Sequence, residues 1–415
     1  MDKRIYQIEE KVPLRLLAPL SFQHTFAMFG ASVLVPIVMG ISPSIVLFMN
    51  GVGTLLFIYL TKGKAPAYLG SSFAFLAPAG VIIASMGYQY ALGGFVITGL
   101  FGCIIALIIY RFGTKWIDVV LPPAAMGAVV ALIGLELTRL TVTGGAIGAN
   151  LMTDTATLND WIVFLVTLGV AVIGSVLFKK VFATIPILIA IVAGYITAAS
   201  LGMIDYTKLA EARLFTLPQM QLPKFQMDAI LTMLPALLVI VAEHISHQSV
   251  TSNIVGKDLI KDPGLHRTIF ADNFSTMLSG FVGGVPTTTY GENIGVMAVT
   301  GVYSVQVIGG AAVISILMAF IGHLSALIQT IPGNVIGGVT FLLYGMIGAS
   351  GIRLLVDKKV DYGKSKNLVL TSVILTTGLS GLKVNFAGIS LSGMVLASVV
   401  AVLLSLFFHL VDNRG

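Results

Sequence analysis

Apolar runs long enough to cross a bilayer recur along the entire 415-residue chain. A membrane-spanning helix needs about 20 consecutive, mostly apolar residues. Such runs fall near residues 16–38, 44–60, 67–85, 91–111, 117–137, 158–177 and 184–203. After a polar stretch at 204–227 they resume near 228–250, 268–283, 290–302, 305–327, 333–351, 367–383 and 389–411. Composition closes off the alternative of one large soluble core. The chain is 56% hydrophobic and 10% charged, with mean hydropathy +0.97, and a soluble fold clothes its surface with far more charge. The 45 glycines fit closely packed helices in lipid, where small residues let backbones approach. The expected fold class is an all-α polytopic membrane protein of 14 transmembrane segments.

A net charge of +6 would suit nucleic acid, but its distribution points to a membrane. Basic residues cluster in alternate connections, from Lys3, Arg4, Lys11 and Arg15 to Lys358, Lys359, Lys364, Lys366 and Arg414. Only Arg139, Lys208, Arg213, Lys224 and Lys383 fall on the opposite side. The excess of Lys and Arg places both termini in the cytoplasm, so the expected location is the cytoplasmic (inner) membrane. No small-residue cleavage site closes the first apolar run, which reads as a retained helix. The lone Cys103 sits mid-helix and allows no disulfide framework.

Two segments are poor spanning helices. APAYLGSSFAFLAPAG is interrupted by Pro66, Gly70 and Pro78; GGVPTTTYGENIGVMAVTGV carries Pro286, Gly291, Gly295 and a threonine run. Backbone that leaves the helix at membrane depth must find partners in protein or in a watery cavity. Broken segments at matching places in two halves point to a transporter's binding site. The places match: Phe73 and Glu292 are 219 residues apart, Gln23-His24 and Glu243-His244 are 220 apart, and Pro122 and Gly127 echo Pro332 and Gly337 at an offset of 210. Seven segments per half is an odd number, so the second half enters from the opposite face. The expectation is two inverted seven-helix repeats with a site between them.

Carboxylates at membrane depth are costly, at least about 2.5–3.5 kcal/mol at the bilayer centre, and functional by default. Glu243 follows six apolar residues, Glu292 lies at a break, and Asp272 lies inside the ninth segment. Paired carboxylates suit the ring N–H groups of a nucleobase, and exposed backbone amides at the breaks suit its carbonyls. Glu243 and His247, four residues apart, share a helix face, and a buried carboxylate beside an imidazole can take a proton; His244 points about 100° away. Phe73 and Tyr290 at the breaks offer faces for a flat ring, with plain packing as the alternative; Tyr344 reads as packing or gate. Glu243-His244-x-x-His247 has the wrong order for a metalloprotease zinc helix, so no metal and no cofactor is expected. Gly363-Lys364-Ser365 lacks the glycine that begins a phosphate loop, which leaves an ion gradient as the energy source. Gly348-Ala349-Ser350-Gly351 reads as a closely packed helix end, not an intramembrane serine protease, and no enzyme is expected.

ENIGVMAVTG (Glu292 to Gly301), Gln23-His24, LGSSFAF around Phe73 and AEHISH at 242–247 together resemble the nucleobase–ascorbate transporters, or nucleobase:cation symporter-2 family. The resemblance spans essentially the whole chain and is strongest to the bacterial uracil-carrying branch, which has Glu where purine carriers usually have Gln. It implies a homodimer and short antiparallel strands in segments 3 and 10. It implies a core domain (1–115 and 228–328) and a gate domain (116–227 and 329–415). It further implies that Glu243, Glu292 and the backbone amides of Phe73 and Gly291 hold uracil, while His247 assists proton coupling. Asp272 stands where many relatives have an acid. A uracil:proton symporter is the expected function. Alternatives are a xanthine or urate symporter and, further off, an anion exchanger or passive channel.

Overall fold

The computed structural model describes residues 5–143, 148–386 and 389–412. The first half runs α1 (Leu14–Met39), α2 (Pro43–Leu60), β1 (Leu69–Ser71), a 3-10 turn (Phe73–Phe75), α3 (Leu76–Ser85), α4 (Tyr88–Phe112), α5 (Lys115–Val120), α6 (Pro123–Thr138), α7 (Leu158–Leu177), α8 (Pro186–Ser200) and α9 (Thr207–Ala210). The second half runs α10 (Met227–Met233), α11 (Ala236–Val255), α12 (Leu265–Val282), β2 (Thr287–Thr289), α13 (Gly291–Thr300), α14 (Val305–Ala319), α15 (Gly322–Gln329), α16 (Gly333–Asp357), α17 (Ser365–Leu379), β3 (Lys383–Phe386), β4 (Ile389–Ser392) and α18 (Gly393–Asp412).

Among the described residues, seven helical stretches are long and apolar enough to cross a membrane, and four shorter helices are strongly apolar. Large apolar side chains cover the outside: Leu107, Tyr110, Val176 and Leu403 are each more than 60% exposed. A soluble protein does not tolerate that surface; hydrocarbon solvates it. The structure is thus a mostly helical, multi-pass membrane fold.

Local chemistry sets the ends. Ser42 accepts the Ser44 amide ahead of Pro43, the first residue of α2. Thr157 and Asp160 form a reciprocal capping box at the start of α7. Gly40 and Gly256 end α1 and α11 in the left-handed conformation. Several single runs divide where the sequence removes donors: 117–137 breaks at Pro122-Pro123 into α5 and α6, and 228–250 breaks at Pro235 into α10 and α11. The run 305–327 also divides, between Ala319 and Gly322. Residues 383–386 and 389–392 depart most from expectation. Lys383 was read as the end of one helix and 389–392 as the start of the next, yet they pair as an antiparallel hairpin, Lys383 opposite Ser392. The alternation in Lys383-Val384-Asn385-Phe386 has the strand period of two.

Helix packing falls into two groups. The most extensive contacts of one are α4 with α12, α2 with α14, α1 with α14 and α2 with α12. Those of the other are α6 with α16, α7 with α8, α16 with α7, and α17 with both α18 and α6. Glycine permits the tightest crossing: a Cβ added at Gly351 on α16 would overlap the Ala131 backbone on α6. The two breaks meet against α1, α2, α11 and α12, where β1 and β2 pair antiparallel, Leu69 opposite Thr289 and Ser71 opposite Thr287.

Candidate functional site

A two-stranded sheet inside a membrane has two open edges, and each would leave backbone groups without partners. Threonines from flanking helices close both. On α2, Thr54 Oγ1 accepts the Leu69 amide at 2.9 Å; on α12, Thr276 Oγ1 accepts the Thr287 amide at 3.0 Å and donates to the Thr287 carbonyl at 2.8 Å. The strands are extended by matching bonds at either end, Ser72 amide to Pro286 carbonyl and Tyr290 amide to Tyr68 carbonyl. Residues exchange in pairs across the sheet centre, Thr54 with Thr276 and Ser72 with Tyr290.

Each strand delivers the chain into the N-terminal end of a helical turn. The 3-10 turn begins at Phe73 and α13 begins at Gly291, and neither start carries a side-chain cap. Helix starts present N–H groups without intrahelical partners, together with the positive end of the dipole. Both starts pack against α11.

The central helix α11 packs on α13, on β2 and on the turn at Phe73. Glu243 and Glu292 lie within electrostatic reach of one another. Both are half-buried, as is His247, and Gly291 is exposed, so these groups line space and not solid core. His247 Nδ1 lies 3.1 Å from Thr289 Oγ1. A Cβ placed on Gly291 would meet only His247 Nε2, at 3.4 Å. Glu243, His247, Gly291 and Glu292 thus lie close together in the structure.

The two aromatic candidates sit differently. The Phe73 ring is nearly buried and meets Tyr344 of α16 edge-on, with centroids 5.9 Å apart at 81°. That contact joins the two packing groups. Tyr290 is engaged with the sheet: its hydroxyl donates to the Ser71 carbonyl at 2.8 Å, and its ring lies directly against Gly70. Only glycine leaves room for that ring.

Two further polar pairs were not legible from sequence. His244 Nδ1 donates to Asp272 Oδ2 at 3.0 Å, both side chains wholly buried. Asn293 Nδ2 donates to His24 Nδ1 at 2.6 Å, tying α13 to α1. Each histidine was singled out, but helix periodicity gives a direction and not the neighbour found there. Past the site, a cleft of about 210 Å³ runs between α11 and α5, α6 and α16, lined by Ile117, Asp118, Met126, Ser246, Ser249 and Lys358 among others.

The Permease family pattern matches residues 16–387. A uracil permease of Escherichia coli (strain K12) is 52% identical over 414 residues, which is 99% of this chain and 96% of that protein. One from Paenibacillus larvae subsp. larvae is 50% identical over 100% of this chain and 99% of its own. One from Bacillus subtilis (strain 168) is 44% identical over 93% and 91%. Among solved structures, the transmembrane domain of the cyanobacterial bicarbonate transporter BicA superposes with TM-score 0.59 at 17% identity, over 99% of this chain and 100% of that one. The murine Slc26a9 anion transporter superposes with TM-score 0.72 at 11% identity, over 97% of this chain and 69% of that one; such low identity speaks for the fold alone. By full-length sequence and by the residues at both breaks, the chain belongs to the Permease family of nucleobase–ascorbate transporters.

Proposed function

We propose that this protein imports uracil across the cytoplasmic membrane together with a proton. The observation that carries the reading is the convergence of two carboxylates, Glu243 and Glu292, on two uncapped helical starts at Phe73 and Gly291. Uracil presents ring N–H donors alternating with carbonyl acceptors. Carboxylates accept from the former, and backbone amides donate to the latter. A site for an anion would want fixed positive charge where this one has two acids. The long relatives named as uracil permeases supply the substrate class.

In this reading Glu243 and Glu292 hold the ring edge, the amides of Phe73 and Gly291 hold its carbonyls, and Phe73 and Tyr290 bound its faces. His247 and Glu243 carry the coupled proton, with Asp272 behind them. The helices α1–α4 and α10–α15 form a core, residues 1–115 and 228–328. The helices α5–α9 and α16–α18 form a gate, residues 116–227 and 329–415, and transport moves the core against the gate. The separation of helix packing into two groups supports this division. The paired exchange of bonds across the β1–β2 sheet supports an inverted repeat. The proline starts of α6 and α16, with Pro122 and Pro332 in the same extended conformation, add to it. The excess of Lys and Arg in alternate connections supports cytoplasmic termini, and the working unit in this reading is a homodimer.

One proton moving down 100 mV supplies about 2.3 kcal/mol, enough for roughly 45-fold accumulation. The test is uptake of labelled uracil into proteoliposomes with and without an imposed proton gradient, and with excess unlabelled xanthine. Gradient-driven accumulation that xanthine leaves largely intact is the expected result. Equal inhibition by uracil and xanthine moves the assignment to a purine carrier; equilibration without accumulation moves it to a passive channel.

A further inference from the structure

Thr289 closes β2 two residues before α13 begins at Gly291, and its Oγ1 lies 3.1 Å from His247 Nδ1. The other ring nitrogen faces the start of α13: a Cβ at Gly291 would stand 3.4 Å from His247 Nε2. A neutral imidazole carries one N–H, and the bond made by one nitrogen decides the state of the other. With Thr289 Oγ1 as the acceptor of this bond, the proton stays on Nδ1. Nε2 then carries the lone pair, beside the start of α13 where Gly291 is exposed.

We propose that Thr289 is a positioning residue that fixes the tautomer and ring direction of His247, so that Nε2 is the atom that takes up and releases the transported proton. This rests on the reading of His247 as a coupling residue. Protonation adds the second N–H at Nε2; release returns the ring to the Nδ1–H form, and Thr289 remains bonded to Nδ1 throughout. His244 on α11 acts on the ring directly, and Glu243, one turn before His247 on α11, is in turn within electrostatic reach of Asp272 on α12 and Glu292 on α13. The other helices packed on α11, namely α4, α6 and α18, carry their charged residues at or near their ends. Thr289 itself cannot titrate, so any change in pH dependence on its substitution must come through these neighbours.

The experiment is proton-driven uracil uptake by Thr289→Val and Thr289→Ser as a function of pH, beside equilibrium uracil binding. Thr289→Val should lose about tenfold in accumulation, the lower range for losing a group that orients a functional histidine. Its pH midpoint should move by about one unit, an ordinary environmental effect on histidine. Thr289→Ser, which keeps the hydroxyl, should follow the parent. In a His247→Gln background, where accumulation is already expected to be lost, Thr289→Val should leave equilibrium uracil binding and its pH dependence unchanged. A parent-like pH profile and accumulation in Thr289→Val overturns the proposal, as does equal damage with or without His247. Should the valine variant not fold, Thr289→Ala is read in the same way. Failure of the parent itself to accumulate uracil with a proton gradient strikes the functional reading instead, and is seen before any variant is made.

Discussion

His244 and Asp272 face each other from neighbouring helices with Nδ1 3.0 Å from Oδ2, and neither side chain reaches the surface. An unsatisfied buried donor costs about 1–3 kcal/mol. Asp272→Ala strands the His244 N–H and is expected to lower stability by an amount in that range. Asp272→Asn keeps an acceptor oxygen and should cost less. Thermal unfolding in detergent distinguishes them; equal melting temperatures for both variants would mean that the pair does not hold α11 to α12. Uptake then separates structure from coupling, since an Asp272→Asn protein that folds yet no longer accumulates uracil has lost a titratable group and not a contact.

Glycine plays two different parts in this fold, and alanine substitution should tell them apart. At Gly351 a methyl would overlap the Ala131 backbone, so α6 and α16 would have to separate. Gly351→Ala is expected to reduce the yield of folded protein. At Gly291 a methyl meets only His247 Nε2 at 3.4 Å, and the chain there is already helical. Gly291→Ala should fold normally and bind uracil more weakly, because the methyl enters the space beside the amide. Size-exclusion profiles and binding on the same preparations check both. Parent-like binding by Gly291→Ala would place the ligand elsewhere.

These positions also show what a sequence can and cannot say. Gly70, Pro286 and Gly291 announce broken backbone because the physics of a helix excludes them, and hydrocarbon restricts where such breaks occur. Glu243 and Glu292 stand out because charge at that depth is rare. The partners of His24 and His244 did not, since a helical wheel fixes azimuth while the neighbouring helix is chosen by the whole packing. The hairpin at 383–392 hid between two apolar runs, where a short strand and a helix end look alike. Proline at 122–123 and at 235 could have warned that those runs were each two helices.

The segment before α1 is held to the ends of the later helices. Ile8 is buried beside Val255 and Leu259, Gln7 Nε2 donates to the Val255 carbonyl, and Lys257 reaches both oxygens of Glu9 at 2.7 and 2.8 Å. The Lys257 ammonium holds the Glu9 carboxyl below the usual range. A depressed folded value means the contribution is fully present above the ordinary value of about 4.3 and is lost as pH falls through the lower folded one. Both groups are substantially exposed, so the gain is at most ~1 kcal/mol and salt weakens it. Hydrogen exchange in residues 5–12 should therefore rise on acidification below about pH 4. Glu9→Gln should exchange at neutral pH as the parent does in acid. If Glu9→Gln matches the parent at both values, the buried Ile8 holds the segment unaided.

The site itself makes the most demanding claim, that binding and coupling reside in different side chains of one cluster. Glu292 and Glu243 meet the ring directly in our reading, so replacing either by Gln removes a charged acceptor. Hydrogen bonds to charged groups contribute about 1.5–3 kcal/mol, so each variant should bind uracil roughly 10- to 150-fold more weakly. His247 stands behind them, with Nδ1 committed to Thr289. His247→Leu should retain appreciable equilibrium binding, with altered pH dependence, and lose accumulation driven by a proton gradient. Uphill transport requires loaded and empty carriers to differ in protonation, whereas equilibrium binding requires only the ring contacts. Calorimetric or scintillation binding beside gradient-driven uptake measures the two properties on the same protein. Binding by Glu292→Gln within twofold of the parent would remove that carboxylate from the site. Equal loss of binding in Glu243→Gln and His247→Leu would make the histidine a ligand. Full accumulation by His247→Leu would leave Glu243 and Asp272 as the carriers of the proton.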